Sequence, residues 1–399
     1  MRVLALVVAL GVASPLAAQG PPTEPVTFGE GRLVIGGEAT ATIGPDDPGF
    51  FNYSDYAFNA LRNLRVHVTT EVRAARHLQF LSEFRLDRSG NVEPFALYAR
   101  IRPFPDRRFD IQVGRIPPTF GAFARQGYGS GNMLVGTPLA YQYLLSIRPD
   151  ALPARVDDLL RMRGRGWLSN FPLGNTAPAP GLPMVQSYRL DTGLQVHGVA
   201  GMVEWTGAVT SGSLSNPRVT DDNGSRQLAG RVVVRPHASV AFGFSGARGG
   251  FLRRELQASL AAGADVADGV QTGVAVDVEY SVGRFLARGE VMRSAWSLPA
   301  VPTLRLSDPL TATAAIVEGR YRLWPGVHVA GRVERLDFST VSSPTRTAEW
   351  EAPVDRVELG TGWSVVRNVQ VKVSWQRNLR SGGRVRHDTI VAGQLVYWF

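Results

Sequence analysis

The sequence predicts an all-β fold, a transmembrane antiparallel β-barrel of about 16 strands with long external loops and short periplasmic turns. Three observations support this prediction. Apolar and polar residues alternate along most of the 399-residue chain, which is the period of a strand with one apolar face. The connections between these segments are of two kinds, short turns and long loops, as in membrane barrels. After the first residues, no apolar run is long enough for a membrane helix.

The first residues, MRVLALVVALGVASPLAAQG, predict a secretory signal peptide over residues 1–18. Arg2 precedes ten apolar or small residues, and the small pair Ala17 and Ala18 marks the expected cleavage site. The apolar run is shorter than the roughly 20 residues that a membrane-spanning helix needs. We expect residues 19–31 to form a short periplasmic segment and residues 32–399 to form the barrel.

The composition excludes several other classes of protein. The chain has no cysteine, so neither a disulfide framework nor thiol chemistry is expected. The formal net charge is +9, but the basic residues are spread evenly and form no basic helix, so we expect no nucleic-acid partner. The six histidines have neither metal-ligand spacing nor a catalytic context. The sequence therefore predicts no enzyme, no metal site and no cofactor.

The alternation places the strands one by one. In NVQVKVSWQRN, for example, Val369, Val371, Val373 and Trp375 share one face, and polar residues occupy the other. One face suits hydrocarbon and the other suits water. We expect strands at 32–43, 60–73, 76–88, 93–104, 108–116, 185–199, 202–214, 226–236, 237–246, 270–281, 283–296, 311–324, 326–338, 354–366, 368–379 and 387–399.

The connections alternate in length along this series. After strands 2, 4, 6, 8, 10, 12 and 14 the chain turns back within a few residues, as at 324–326 and 366–368. After strands 1, 5, 7, 9, 11 and 13 it passes through long loops rich in Gly, Pro and Asp, whereas the loops after strands 3 and 15 are short. Aromatic residues of the apolar face are expected in two girdles. They are Tyr280, Phe285, Tyr321, Trp363, Tyr397 and Phe399 on the short-turn side and Phe84, Phe95, Tyr188 and Trp375 on the long-loop side.

Two hairpins allow the register to be predicted from parity. A three-residue turn at 324–326, with Gly326 in the left-handed conformation, places Glu318 opposite Arg332. A four-residue turn at 281–284 places Asp277 opposite Arg288. Both pairs are expected to face the lumen.

The last strand ends in LVYWF, with Leu395, Tyr397 and Phe399 on the lipid-facing parity. With the signal peptide, this terminal strand resembles the bacterial outer-membrane porins. The resemblance implies a place in the bacterial outer membrane, contact with its lipid, and recognition of Tyr397 and Phe399 as an assembly signal by the barrel-insertion machinery. Deletion of Phe399 is then expected to impair assembly. A homotrimer is among the assemblies that the resemblance allows.

Residues 117–184 form a long loop, far longer than ordinary connections and therefore expected to be functional. Within it, PARVDDLLRMRG predicts a short helix that ends at Gly164. In general porins the third external loop folds into the lumen, so by resemblance this segment is a candidate constriction, and a lid over the mouth is the alternative. It carries Arg125, Arg148, Arg155, Arg161, Arg163 and Arg165 against Asp150, Asp157 and Asp158.

These features predict a passive diffusion channel for small hydrophilic solutes or anions. The wall is close to neutral, and the arginines of the loop would give a weak anion preference. The candidate pore-lining or constriction residues are Arg161, Arg163, Arg165, Arg155, Arg65, Arg100, Arg102, Arg231, Arg320, Arg332, Lys372, Glu318, Asp277 and Arg288. The alternative is a structural or adhesive barrel with a blocked lumen, whose external loops bind a partner.

Overall fold

The computed structural model describes residues 22–54, 58–86, 90–104, 106, 108–123, 127–304, 306 and 308–399. The expected signal peptide at 1–18 lies outside these residues. No helix in the described part of the chain is long and apolar enough to cross a membrane.

Within the described residues, sixteen antiparallel strands form one closed barrel, as the sequence predicts. Each strand pairs with the next along the chain, and the last strand returns to the first through the pairs from Glu38–Trp398 to Ile43–Gly393. Closure leaves no sheet edge with unpaired backbone N–H and C=O groups. A barrel in a membrane needs this closure, because lipid offers such groups no hydrogen-bond partner. The strands are β1 (Leu33–Ile43), β2 (Asn63–Ala75), β3 (Leu78–Leu86), β4 (Val92–Ile101), β5 (Phe109–Ile116), β6 (Asp191–Ala200), β7 (Val203–Thr210), β8 (Gln227–His237), β9 (Val240–Gly250), β10 (Val270–Val282), β11 (Phe285–Ser297), β12 (Leu310–Trp324), β13 (Val327–Phe338), β14 (Val354–Val366), β15 (Val369–Arg380) and β16 (His387–Trp398).

The two kinds of connection lie at opposite ends of the barrel, as predicted. Six connections at one end are only two residues long, for example 201–202 and 367–368. At the other end, long loops occupy 44–62, 117–190, 211–226, 251–269, 298–309 and 339–353. In outer-membrane barrels the end with the short turns is periplasmic, so the long loops define the outer end.

The first described residues and the C-terminal residue lie close together at the periplasmic end. Val26–Phe28 forms a short hairpin arm that pairs with Leu33–Ile35 of β1. The Phe399 backbone N–H donates to the Gly37 carbonyl at 3.0 Å, and the Gly37 N–H donates back to the Phe399 carbonyl at 3.1 Å. The rings of Tyr397 and Phe399 stack with centroids 6.0 Å apart. Their role as an assembly signal stays a prediction.

One predicted register is confirmed and the other is wrong. Glu318 lies opposite Arg332, and Gly326 has the expected left-handed φ of 83°. Asp277, however, lies opposite Glu290, and Arg288 lies opposite Glu279. The turn between these strands contains two residues rather than four, because Gly283 adopts a positive φ of 56° and reverses the chain immediately.

The outer surface is apolar and the lumen is polar, as the alternation requires. Val317 and Val333, which point toward lipid, are 64% and 58% exposed. Two of the ten predicted girdle aromatics are buried instead, namely Phe95 and Tyr188. A bulge after Glu83, where Ala96 and Pro94 pair with consecutive residues of β3, reverses the parity at Phe95. Tyr188 belongs to the long loop, so strand parity does not apply to it.

A large apolar cluster, here named the outer cap, lies at the outer end of the barrel. Leu145 from loop 117–190, Leu252 from loop 251–269 and Trp350 from loop 339–353 are all completely buried in it. Trp296 at the end of β11 packs edge-on against Trp350, with ring centroids 5.9 Å apart. Burial of this apolar area stabilises the loops at roughly 25 cal/mol per Å² and fixes them to one another.

Candidate functional site

The loop between β5 and β6 enters the barrel. Its described residues include two short helices, α1 (Leu139–Gln142) and α2 (Val156–Arg161). The helix predicted from PARVDDLLRMRG is therefore confirmed in its central part, and Gly164 follows it with a left-handed φ of 67°. One part that contacts the inner wall of the barrel is residues 128–139, here named the lumen segment.

Glu38 of β1 and Lys372 of β15 hold the first half of the lumen segment. The Glu38 carboxylate accepts hydrogen bonds from the backbone N–H groups of Gly129 at 2.7 Å and Ser130 at 3.0 Å. The Lys372 ammonium donates to three backbone carbonyls of the same segment, at 2.7, 3.0 and 3.1 Å. Charge-assisted hydrogen bonds of this kind are the strong ones in proteins, so these two strands fix the path of the segment.

An arginine between two glutamates holds the second half. Arg332 of β13 donates to Glu318 of β12 at 2.8 Å and to Glu358 of β14 at 3.3 Å. The same guanidinium donates to the Gly136 carbonyl at 2.8 Å, and Glu358 accepts the Gly136 N–H at 2.9 Å. A Cβ at Gly136 would lie 2.1 Å from the Gln376 amide and 2.6 Å from Glu358. Only glycine therefore allows this close approach to the wall.

Three further charged wall residues complete the contact. Glu334 accepts the N–H of Leu139 at the start of α1, at 2.5 Å. Glu290 accepts the hydroxyl of Tyr141 at 2.9 Å, and Arg356 donates to the Thr137 carbonyl at 3.1 Å. All three wall residues are buried. Burial of a charge is costly unless it is matched by hydrogen bonds, and here the backbone of the loop supplies many of the matching groups.

The loop arginines after α1 lie at the outer end of the molecule. Arg155, Arg161 and Arg165 are exposed, and Arg163 pairs with Glu349 of loop 339–353 at 2.9 Å. The nearby Thr345 hydroxyl donates to Asp157 at 2.8 Å. These arginines thus face the external loops, and different charged residues contact the lumen segment. Arg125, also expected in this set, lies outside the described residues.

The remaining candidate residues lie on the inner wall, except Arg102, which directly follows the last residue of β4. Arg231 forms a bidentate pair with Asp277, at 2.6 and 2.9 Å, and Arg288 pairs with Glu279 at 2.7 Å. The guanidinium of Arg65 lies 4.5 Å above the ring of Tyr188, and Arg100 donates to the Tyr98 hydroxyl at 3.2 Å. Two more, Arg102 and Arg320, are half-buried.

Two cavities flank the entering loop inside the barrel. One, of about 170 Å³, is lined by Gly121, Phe123 and the β8–β12 wall. The other, of about 460 Å³, lies between β1–β4 and the loop residues Pro117 and Tyr128. Charged residues of both signs line the smaller cavity, namely Arg231, Arg235 and Arg288 with Asp277, Glu279, Glu290 and Glu318. The lining is close to neutral, as the sequence predicts for the wall.

Two buried carboxyl groups occupy the external loops above the lumen. Burial raises the pKa of Glu351, whose oxygens accept the backbone N–H groups of Ser146 and Ala352 at 2.8 Å each. Burial also raises the pKa of Asp47, which accepts the Asn52 N–H at 2.7 Å. Both carboxyl groups therefore fix the conformation of the external loops by accepting hydrogen bonds from their backbone N–H groups. Within the described part of the chain, no group of three or more acidic, histidine or cysteine side chains is placed to hold a metal ion.

Sequence reasoning missed several charged strand residues that contact the entering loop, among them Glu38, Glu83, Glu290, Glu334, Arg356, Glu358 and Arg380. All of these lie on the lumen-facing parity of their strands, and this was the only available signal. Parity alone does not distinguish a charge that pairs along the wall from one that binds a loop 45 or more residues away in sequence.

Known outer-membrane proteins share this architecture. OmpT of Vibrio cholerae, expressed in the outer membrane, matches with a TM-score of 0.54 at 12% identity, covering 94% of this chain and 100% of that chain. The outer membrane channel DcaP of Acinetobacter baumannii gives 0.52 at 10% identity over 94% and 100%. OmpF of Salmonella typhi, in complex with daunomycin, gives 0.52 at 11% over 92% and 97%. No family model and no curated protein sequence matches. At these identities the likeness shows the fold.

Proposed function

We propose that this chain, which has the porin-like barrel fold of the bacterial outer membrane, is a passive diffusion channel for small hydrophilic solutes. The observation that carries the proposal is the lumen segment, which is fixed to the inner wall and leaves cavities beside it that charged residues partly line. Barrels of 16 strands are wide enough for an aqueous channel, and a loop inside such a barrel narrows it. The similarity to DcaP, an outer membrane channel, agrees with this proposal.

Liposome swelling tests the proposal directly. Liposomes that contain the folded protein are diluted into iso-osmotic solutions of sugars of increasing size, and the swelling rate is measured by light scattering. We expect the rate to fall steeply with sugar size, because the free space beside the loop is small. Swelling no faster than in protein-free liposomes, with the barrel shown to be folded, would exclude a diffusion channel.

A weak anion preference is the finer part of the proposal. Arg65 and Arg100 lie on the lumen-facing wall, where the Arg65 guanidinium contacts the Tyr188 ring and Arg100 donates to the Tyr98 hydroxyl, and neither forms an ion pair within the described part of the chain. Positive charge of this kind raises the local concentration of anions. Because acidic side chains occupy the same wall and salt screens charges beyond about 8 Å, the preference is expected to be small.

Reversal potentials in a chloride gradient across a planar bilayer measure this preference. We expect chloride to be favoured modestly, and the double substitution Arg65→Gln and Arg100→Gln to reduce the preference. Replacement of Arg161, Arg163 and Arg165 by Ser removes more charge but only from the outer end, so we expect a smaller change. Cation preference in the unmodified channel would contradict the proposal.

The alternative function, a blocked barrel whose loops bind a partner, is favoured by one observation. The outer cap is apolar and completely buried at its centre, so it covers part of the outer mouth. A barrel that is folded, as shown by altered gel mobility before boiling, yet gives no swelling with any sugar would support this alternative.

We also propose a homotrimer as the assembly. One solved form of Vibrio cholerae OmpT, which shares the fold at a TM-score of 0.51, is described as a trimer. Chemical cross-linking of the protein in membranes, followed by gel analysis without boiling, tests this assembly. A single monomer band at saturating cross-linker would contradict it.

A further inference from the structure

Four arginines lie on the outward, lipid-facing side of the barrel near its outer end. They are Arg248 on β9, Arg293 on β11, Arg335 on β13 and Arg377 on β15, here named the arginine belt, and all four are exposed. They occupy every second strand. Their parity is outward because the flanking residues on the same strands, such as Ala247 and Met292, are buried in the lumen.

The register places the belt at one height around the barrel. Arg248 lies opposite Thr272 of β10, and Thr272 lies opposite Ala295 of β11. Ala295 is two residues beyond Arg293 along the same strand. Arg293 lies opposite Thr313 of β12, and Thr313 lies opposite Asp337 of β13, which is again two residues beyond the belt arginine of that strand, Arg335. The same offset recurs between Arg335 and Arg377. A shift of one residue per strand is the stagger that strand tilt imposes on a closed barrel, so the four positions are level.

The belt marks the upper edge of the apolar band. Val291 and Val333, each two residues closer to the periplasm than a belt arginine, are 54% and 58% exposed. An arginine facing lipid costs about 2–4 kcal/mol at the bilayer midplane but about 0–1 kcal/mol near the interface. Four arginines in a row at one height are therefore expected at the level of the lipid headgroups.

Three of the four arginines have no carboxylate partner among the residues that the structure describes. Arg335 pairs with Asp337 at 2.6 Å and with Asp355 at 3.2 Å. In contrast, Arg248 donates only to the Thr272 hydroxyl, at 3.4 Å, and no ion pair involves Arg293 or Arg377. Their guanidinium groups are left free for an anion outside the protein.

A groove in the lipid-facing surface runs directly below Arg248. Its floor is formed by Gly207, Gly230 and Gly246, which are directly paired on β7, β8 and β9. Its volume is about 640 Å³, and Arg248 and Thr272 form its outer end. The walls are the outward side chains of Leu194, Val209, Leu228 and Val274. An apolar groove that ends at a free cation has the shape and charge for an acyl chain attached to an anionic headgroup.

We propose that three arginines of the belt, Arg248, Arg293 and Arg377, bind the phosphate groups of lipid headgroups in the outer leaflet, and that the groove below Arg248 takes an acyl chain of one such lipid. Arginine suits phosphate because its planar fork donates two parallel hydrogen bonds. Alternate strands are about 10 Å apart, so adjacent arginines can contact separate headgroups. The proposal requires only the barrel and does not depend on whether the lumen conducts.

Native mass spectrometry of the full chain in detergent tests the proposal by counting bound lipids. The probes are dioleoyl phosphatidic acid, which exposes its phosphate, and dioleoyl phosphatidylcholine, in which choline shields it. We expect tighter binding of phosphatidic acid. The triple variant Arg248→Gln, Arg293→Gln and Arg377→Gln is expected to lose this preference, by roughly fivefold in affinity per arginine.

A matched control removes three charges elsewhere. Arg254, Arg384 and Arg386 are exposed residues of external loops, and their replacement by Gln should leave the preference intact. If both triple variants lower it equally, net charge rather than the belt is responsible and the proposal is wrong. The proposal would also be overturned if the unmodified chain bound the two lipids equally. This result does not depend on whether any variant folds. Displacement of phosphatidic acid by excess inorganic phosphate would indicate a free-anion site instead.

Gly246→Leu tests the groove separately. A Cβ at Gly246 meets no protein atom within 4 Å, so the barrel tolerates the side chain while the groove is filled. We expect fewer phosphatidic acid molecules to be retained although every arginine is present. If the variant retained as many phosphatidic acid molecules as the unmodified chain, the groove would not be the site of the acyl chain.

Discussion

Replacement of Lys372 by Met is expected to release the lumen segment and raise the conductance of the channel. The Lys372 ammonium donates to the carbonyls of Gly129, Asn132 and Leu134, and Met keeps the length of the side chain but none of its donors. Two buried carbonyls and one half-buried carbonyl lose their charged partner, which we expect to destabilise the seated position of the segment by about 3–5 kcal/mol. The ratio of seated to released segment then falls by roughly two to four powers of ten.

Single-channel recording and limited proteolysis measure this release. We expect larger and noisier unit currents, together with chymotrypsin cleavage near Tyr128 or Leu134, which are largely shielded in the native protein. Arg254→Met, which removes the same charge from an exposed external loop, is the control and should change neither. Wild-type currents and protection in Lys372→Met would mean that other contacts suffice to hold the segment.

The second large effect is expected for Gly181→Ala in the outer part of the entering loop. A Cβ at Gly181 would lie 1.8 Å from the Leu145 carbonyl oxygen and 2.8 Å from that of Ile147. Both atoms belong to backbone that is itself fixed, because Leu145 and Leu182 are hydrogen-bonded at 3.0 Å. The clash would separate the two segments and open the outer cap. The loss of stability is expected to exceed the 0.5–3 kcal/mol that is usual for a point substitution.

Trypsin sensitivity at the arginines around α2 reports on this opening. We expect rapid cleavage there in Gly181→Ala, while the barrel itself stays folded and heat-modifiable on gels. Gly319→Ala on β12 is the matched control, since the nearest atom to its added Cβ is 3.7 Å away. Equal trypsin resistance of the two variants would show that the packing at Gly181 adapts to the methyl group.

The barrel was predictable because period-two alternation is a local signal. Glu318 and Arg332 were placed correctly since parity fixed an odd turn between them, and Gly326 suited it. The pairing of Asp277 failed because two-residue and four-residue turns preserve the same parity, so the pattern could not choose between them. The local pattern thus predicts which face of the sheet a residue occupies more reliably than it predicts which residue lies opposite on the next strand.

The entering loop was only partly predictable. Its length and helix α2 could be read locally, but its path is set by wall residues distant in sequence. Lys372 contacts Leu134 across 238 positions, and nothing near either residue indicates the contact. The expectation that Arg161 and its neighbours face the constriction came from counting charges in the loop as a whole. The structure divides that loop into a lumen segment, which contains no arginine, and an outer part that contains α2.

The attachment of the lumen segment also has a consequence for the order of assembly. Gly129 is bound by Glu38 of the first strand and by Lys372 of the fifteenth, so both contacts exist only when the two ends of the chain have come together. A partly assembled barrel, with β15 and β16 not yet joined to β1, lacks that binding surface. The loop is therefore expected to dock last. Docking would act as a late step that separates a finished barrel from an open intermediate.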